Sequence, residues 1–261
     1  MNRLTRKLSE IKSNNKKALV GYLVAGDPDI ETTVELMKLF SSSGVDIIEI
    51  GVPFTDPIAE GPIIQKAHDR ALKKDTSLIS IFQMIEKYRE SDDETPLVLM
   101  GYLNTFIYHK KLIENNQNNA VDSILVVDIP GELNLGDYGV KSNNINTISL
   151  ISPTTKKDRV KLIAENSTGF VYYVTLRGVT GSSNLNIDEI KKNIKEIKRY
   201  ASVPTLAGFG IKSVEDAKLL ADCSDGVIIG SSLVQMIEQG SEKKEFDRIG
   251  KYISEIKKAI S

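Results

Sequence analysis

Val45-Asp46-Ile47-Ile48-Glu49-Ile50-Gly51-Val52 is a largely apolar run of strand length, broken by Asp46 at its start and by Glu49 toward its end, and followed by proline. Short runs of this kind, rich in Val, Ile and Leu and bounded by Gly, Pro, Asp or Asn, read as strands buried on both faces of a parallel sheet. Seven more runs match it: Leu19–Val24, Leu97–Tyr102, Ser123–Val127, Thr147–Ile151, Phe170–Val174, Val203–Ala207 and Gly226–Ile229. Helical stretches lie between them. Ile30–Ser43 sets Val34, Met37, Leu39 and Phe40 on one face, and Ile187–Tyr200 carries Ile187, Ile190, Ile194 and Ile197 at helical spacing. Val214–Cys223 and Phe246–Ile260 complete the alternation, Ser231–Gln239 predicts a short helix before the last one, and Leu4–Lys12 an extra helix before the first strand. Eight strands alternating with helices, in a chain of 261 residues, predict a (β/α)8 barrel, a fold of about 250 residues. Strand count and length favour it over a doubly wound open sheet.

Composition narrows the function. The 34 Lys+Arg and 35 Asp+Glu leave a net charge of −1, so no bulk attraction draws the chain to nucleic acid or anionic lipid. The single cysteine, Cys223, cannot form an internal disulfide or a cysteine-rich zinc site. Two histidines leave little room for a histidine metal centre or a His-based triad, so no metal is expected. No run approaches the ~18 apolar residues of a membrane span, and Met1 to Lys17 lacks the apolar region of a secretory signal. A cytoplasmic protein with Cys223 reduced is the expectation. No Pro/Gly/Ser-rich linker divides residues 1–261, which read as one domain.

Barrel chemistry sits at the carboxyl ends of the strands. Glu49 stands there, and alternation gives it a face in common with Val45, Ile47 and Gly51. Burying a carboxylate among apolar neighbours costs several kcal/mol, which raises its pKa and tunes it to exchange protons near pH 7. A structural, arginine-paired glutamate is the competing reading, and the position near the strand end tells against it. The following loop, Pro53-Phe54-Thr55-Asp56-Pro57-Ile58-Ala59-Glu60-Gly61-Pro62, adds two acids among three prolines that restrict its conformation. His68 and His109 read as surface helix residues, which leaves acid–base work to carboxylates and tyrosines. Glycine turns follow the last three strands: Arg177-Gly178-Val179-Thr180-Gly181, Gly208-Phe209-Gly210 and Gly230-Ser231-Ser232. Such turns bring backbone N–H groups up to an anion, and the start of the Ser231 helix adds its dipole, so a phosphate site is expected there.

These residues carry a resemblance. Asp46-Ile47-Ile48-Glu49-Ile50-Gly51-Val52-Pro53-Phe54-Thr55-Asp56-Pro57 closely resembles the signature of the tryptophan synthase alpha subunit family, as do Tyr22-Leu23-Val24-Ala25-Gly26-Asp27-Pro28, Gly61-Pro62-Ile63-Ile64-Gln65, Gly178-Val179-Thr180-Gly181 and Gly208-Phe209-Gly210-Ile211. The resemblance implies retro-aldol cleavage of indole-3-glycerol phosphate to indole and glyceraldehyde 3-phosphate, without a cofactor, with indole passed to a beta subunit in an α2β2 complex. It implies that Glu49 moves protons at indole C3 and the glycerol hydroxyl, and that the carboxylate at position 60 holds the indole N–H. It places Tyr22, Tyr102 and Tyr172 in the substrate pocket, Gly181, Gly210, Gly230 and Ser231 around the phosphate, and Thr180 opposite Asp56 when the loops close. One departure matters. The family usually has aspartate where this chain has Glu60, whose extra methylene adds ~1.5 Å of reach. Another phosphate-binding barrel enzyme, or a non-catalytic activating subunit, is the alternative. The loops expected to meet a partner are 53–62, 102–110 and 129–136, around the barrel mouth.

Overall fold

The computed structural model describes residues 2–116, 120–141, 144–175, 186–208, 210–211, 213–241 and 245–261. Eight parallel strands close a barrel in chain order: β1 (Ala18–Val24), β2 (Ile47–Gly51), β3 (Leu97–Gly101), β4 (Ser123–Val126), β5 (Asn146–Ile151), β6 (Val171–Val174), β7 (Thr205–Gly208) and β8 (Gly226–Ile229). β8 pairs back onto β1, with Ala18 opposite Gly226. The barrel expectation holds strand by strand, with ends moved by one or two residues.

The outer layer comprises α2 (Ile30–Ser43), α3 (Pro62–Leu72), α4 (Leu78–Arg89), α5 (Leu103–Tyr108), α6 (Lys110–Glu114), α7 (Lys157–Asn166), α8 (Ile187–Ile197), α9 (Val214–Ala221), α10 (Ser231–Ser241) and α11 (Asp247–Ile260). α2 starts where the Asp29 carboxylate accepts from Thr32 N at 2.7 Å and stops at Gly44, whose φ of 109° suits glycine. Three connections differ from strict alternation. After β2, α3 is an additional helix packed on β1 and α10, while α4 lies beside α2 in the outer layer; α5 and α6 share the connection after β3; and among the described residues the β4–β5 connection holds only a 3-10 turn, Leu135–Tyr138, in place of a barrel helix.

Two cores follow from the strand period of two. Outward residues such as Leu19, Ile48, Ile50, Leu97 and Leu99 pack under the helices. Inward residues Ala18, Val20, Ile47, Val98, Leu125, Ile148, Phe170, Leu206 and Ile228 fill the barrel. Val45 precedes β2 and joins the outer core, so it does not share the face of Ile47 and Glu49. The extra amino-terminal helix, α1 (Arg3–Ser13), has a purpose in this packing: Leu4, Leu8 and Ile11 cap the inner core from below. That end is thereby closed. Asp122, fully buried there, is held by Arg89 at 3.1 Å, Arg3 at 3.4 Å and the Leu97 N–H at 3.0 Å. The open end of the barrel is the mouth, where β1 to β8 deliver their carboxyl termini.

Candidate active site

A cavity of about 370 Å³ opens at the mouth, lined mainly by apolar side chains and by Tyr22, Glu49, Glu60, Tyr172, Gly210, Gly230 and Ser231. Seven sequence-predicted residues from six segments of the chain thus converge on one space.

Glu49 enters it from β2. Its Cα pairs with Tyr22 on β1 and Val98 on β3, and its side chain is 1% exposed. Its Oε1 has no hydrogen-bond partner. Burial, reinforced by the charge of Glu60, pushes the Glu49 carboxyl up to about 8, so the group is mostly neutral at pH 7. The arginine-paired reading fails here: no cation meets Glu49 among the described residues. Tyr22 lies beside it, with the hydroxyl over Gly51, where a Cβ would come within 2.2 Å of the phenol oxygen. Glycine at 51 is required for that approach. The Tyr22 hydroxyl is also buried without a partner.

Glu60 reaches the cavity from the loop after β2. The Tyr102 hydroxyl donates to its Oε2 and accepts from the Ala59 N–H at 3.1 Å. The Phe54 ring stacks on Tyr102 with centroids 4.5 Å apart. The longer side chain at position 60 is therefore pinned by a tyrosine, itself clamped by the same loop. Burial raises the Glu60 carboxyl above its ordinary value, and the Tyr102 hydrogen bond opposes that rise. Tyr102 meets the cavity through Glu60, since its hydroxyl is committed to that carboxylate. Asp56 sits exposed at the loop tip. Its expected partner Thr180, together with Gly181 and the residues between 176 and 185, lies outside the described residues.

The far wall is the start of a helix. α10 begins at Ser231 directly after Gly230, and both residues line the cavity, so the amino terminus of the helix, with its N–H groups that have no intrahelical acceptor and the positive end of its dipole, borders that space. Gly230 O accepts from Val234 N at 3.0 Å and so closes the first turn of the helix. Gly210 adopts φ of 71°, a left-handed conformation natural to glycine. On β6, Tyr172 extends its hydroxyl to within 3.0 Å of the Cβ position that Gly208 leaves empty.

Two groups escaped sequence reasoning. His68 is not a surface residue: it is 1% exposed, and its Nδ1 accepts from the Phe54 N–H at 3.0 Å. Burial lowers its pKa to about 4, so it is the neutral acceptor that anchors the acidic loop. The sequence does hold a signal for this, since His68 shares a helical stripe with Ile64 and Ala71. Asp27, 3% exposed, receives Arg70 bidentately at 2.7 and 2.9 Å, and Arg70 also reaches Glu238 at 2.7 Å. This brace joins the loop after β1, α3 and α10, and so ties the carboxylate wall to the α10 wall. His109 sits half-buried between α5 and α6, away from the cavity.

A neutral buried acid, a fixed carboxylate and a helix amino terminus around one apolar cavity can protonate an apolar ring, hold a ring N–H and bind a phosphate. Comparison with known proteins agrees. The family model described as tryptophan synthase alpha chain matches residues 8–261. A tryptophan synthase alpha chain of Nitrosomonas europaea is 40% identical, covering 100% of this chain and 96% of its own. One of Neisseria meningitidis serogroup B is 42% identical over 94% of each. The crystal structure of tryptophan synthase subunit alpha from Legionella pneumophila superposes with a TM-score of 0.89 at 37% identity, covering 100% of this chain and 98% of that one.

Proposed function

The chain belongs to the tryptophan synthase alpha chain family, and from that membership we propose how its own residues divide the work. The reaction is a carbon–carbon lyase step of tryptophan biosynthesis: indole-3-glycerol phosphate is cleaved to indole and glyceraldehyde 3-phosphate, and indole passes to a beta subunit.

Cleavage requires the indole ring to accept the electrons of the breaking bond. Glu49, neutral near pH 7, donates its proton to ring C3. The resulting indolenine carries positive charge, and Glu60 accepts the ring N–H and stabilises that charge. Carbon–carbon cleavage returns the electrons to the ring as the glycerol hydroxyl becomes an aldehyde, and the now charged Glu49 takes up the hydroxyl proton. Two carboxylates with different environments thus fill two roles. Their separation has a cause: Glu49 is fully enclosed and feels the charge of Glu60, whereas Glu60 has a tyrosine donor. The phosphate rests at the start of α10, with Gly210, Gly230 and Ser231. The chemistry asks only for proton transfer and needs no cofactor.

The beta subunit docks at the mouth, where indole leaves. Ile58 in the loop after β2 and Tyr108 at the end of α5, 73% and 82% exposed, are large apolar side chains, and Leu133 adds a third after β4. No helix among the described residues is long and apolar enough to cross a membrane, and we place the protein in the cytoplasm.

The observation that carries this reading is the buried, neutral, unpaired Glu49 at the strand end. Purified protein given indole-3-glycerol phosphate is expected to release indole, faster with a beta subunit. Absence of turnover both with and without that partner refutes the lyase reading and leaves a non-catalytic activating subunit.

A further inference from the structure

Catalysis by Glu49 leaves an electrostatic debt. Once the proton has gone to the ring, a carboxylate stands in an apolar, fully enclosed position, and a buried charge without a donor is expensive. Some group must meet it. Tyr22 and Glu49 are register partners on adjacent strands with side chains on the same inner face. Both carry a buried polar atom with no partner, the Tyr22 hydroxyl and Glu49 Oε1. The phenol leans from β1 across to β2, so that its oxygen lies over Gly51, two residues toward the mouth from Glu49. Two strand residues span roughly 6.6 Å. A glutamate turned toward the mouth covers roughly 4 Å of that with bonds of ~1.5 Å, which leaves about the length of an O–H···O hydrogen bond.

We propose that the Tyr22 hydroxyl is the donor that holds the Glu49 carboxylate in its charged state, making Tyr22 a positioning residue for proton return. This rests on Glu49 as the proton-transfer group of the lyase. The other groups facing Glu49 do not supply the donor. Glu60, from the loop after β2, is itself a carboxylate, and the Tyr102 hydroxyl behind it already donates to it. Tyr172 faces Glu49 from β6, but its hydroxyl lies over Gly208, on the other side of the barrel. The Tyr22 hydroxyl lies close enough to feel the charge of both Glu60 and Glu49.

A donor to the charged form lowers a carboxyl pKa, so its removal raises it. The test is the Glu49 titration followed by the 13C resonance of its carboxyl group, assigned through Glu49→Gln, in the wild-type chain, Tyr22→Phe and Tyr172→Phe. Expected is an upward shift of about one pH unit in Tyr22→Phe, a tenfold weakening of the acid, and a smaller change in Tyr172→Phe. The basic limb of the indole-release rate shifts with it. An unchanged or lowered midpoint in Tyr22→Phe, or a larger shift in Tyr172→Phe, overturns the proposal. If Tyr22→Phe does not fold, the wild-type Tyr22 ring carbon beside the hydroxyl decides: it must titrate with the Glu49 midpoint, and a flat response overturns the proposal. The carboxyl titration needs no turnover, so its failure is distinct from failure of the lyase reading.

Discussion

Asp122 and Glu49 are carboxylates buried at opposite ends of one barrel, 0% and 1% exposed. Burial pushes both upward. At Asp122 the Leu97 N–H and two guanidiniums oppose that push. At Glu49 the neighbouring charge is another carboxylate, so the push is reinforced and Oε1 stays unpaired. The closed end uses its acid to tie α1, α4, β3 and β4 together. The open end keeps its acid uncharged and available. Equal burial thus yields an ion-paired structural brace in one place and a neutral, unpaired acid in the other, and the partners decide which.

Substitutions separate the two ends. Glu49→Gln is expected to have the largest effect, lowering the rate of indole release about 10³-fold or more while leaving phosphate-ligand binding intact by calorimetry. Asp122→Ala should do the reverse, costing about 3–5 kcal/mol in urea unfolding because two guanidiniums lose their buried partner, with turnover of the folded enzyme little changed. Loss of turnover there in proportion to Glu49→Gln would erase the contrast.

pH sharpens it. The folded Glu49 pKa, about 8, lies above its unfolded value of 4.5. Its contribution to stability is therefore full below pH 4.5 and is lost as pH rises toward 8. Glu49→Gln escapes that loss and should be more stable than wild type at pH 9 by up to about 5 kcal/mol, and no more stable at pH 4.5. Equal unfolding midpoints at pH 9 would show that the native site does not penalise the charge. His68 has the opposite sign: its folded pKa, about 4, lies below 6.5. Its contribution is present above pH 6.5 and is lost as pH falls toward 4, by up to about 3 kcal/mol. His68→Gln should show a shallower decline between those pH values, measured by urea titration. The smallest effect is expected from Glu60→Asp, which shortens the side chain away from Tyr102: a change in turnover within about tenfold. Complete loss would mean that the loop backbone is built around glutamate.

The barrel was legible because each strand is a continuous apolar run, a local property of the chain. Glu49 was legible because it stands near the carboxyl end of such a run, where barrel chemistry sits, whereas Asp46 at the start of the same run is a structural acid paired with Lys257. α4 was less so, although Leu78, Ile81, Phe82, Ile85 and Tyr88 stand at helical spacing behind a Ser77 cap. His68 and Arg70 were not assigned roles, because their partners Phe54, Asp27 and Glu238 come to them only through closure of the barrel. Tyr102 looked like a pocket wall; only the folded loop shows its hydroxyl spent on Glu60. Alternation over-reached at Val45, where the strand had not yet begun.

The most direct test of the account is the protonation state of Glu49 itself. Infrared difference spectra of wild type against Glu49→Gln, taken across pH 5 to 10, isolate one carboxyl group. A protonated carboxyl band that persists through pH 7 and disappears with a midpoint near 8 is the predicted result. A group already ionised at pH 5 would contradict it, and with it the assignment of Glu49 as the neutral acid that starts the reaction.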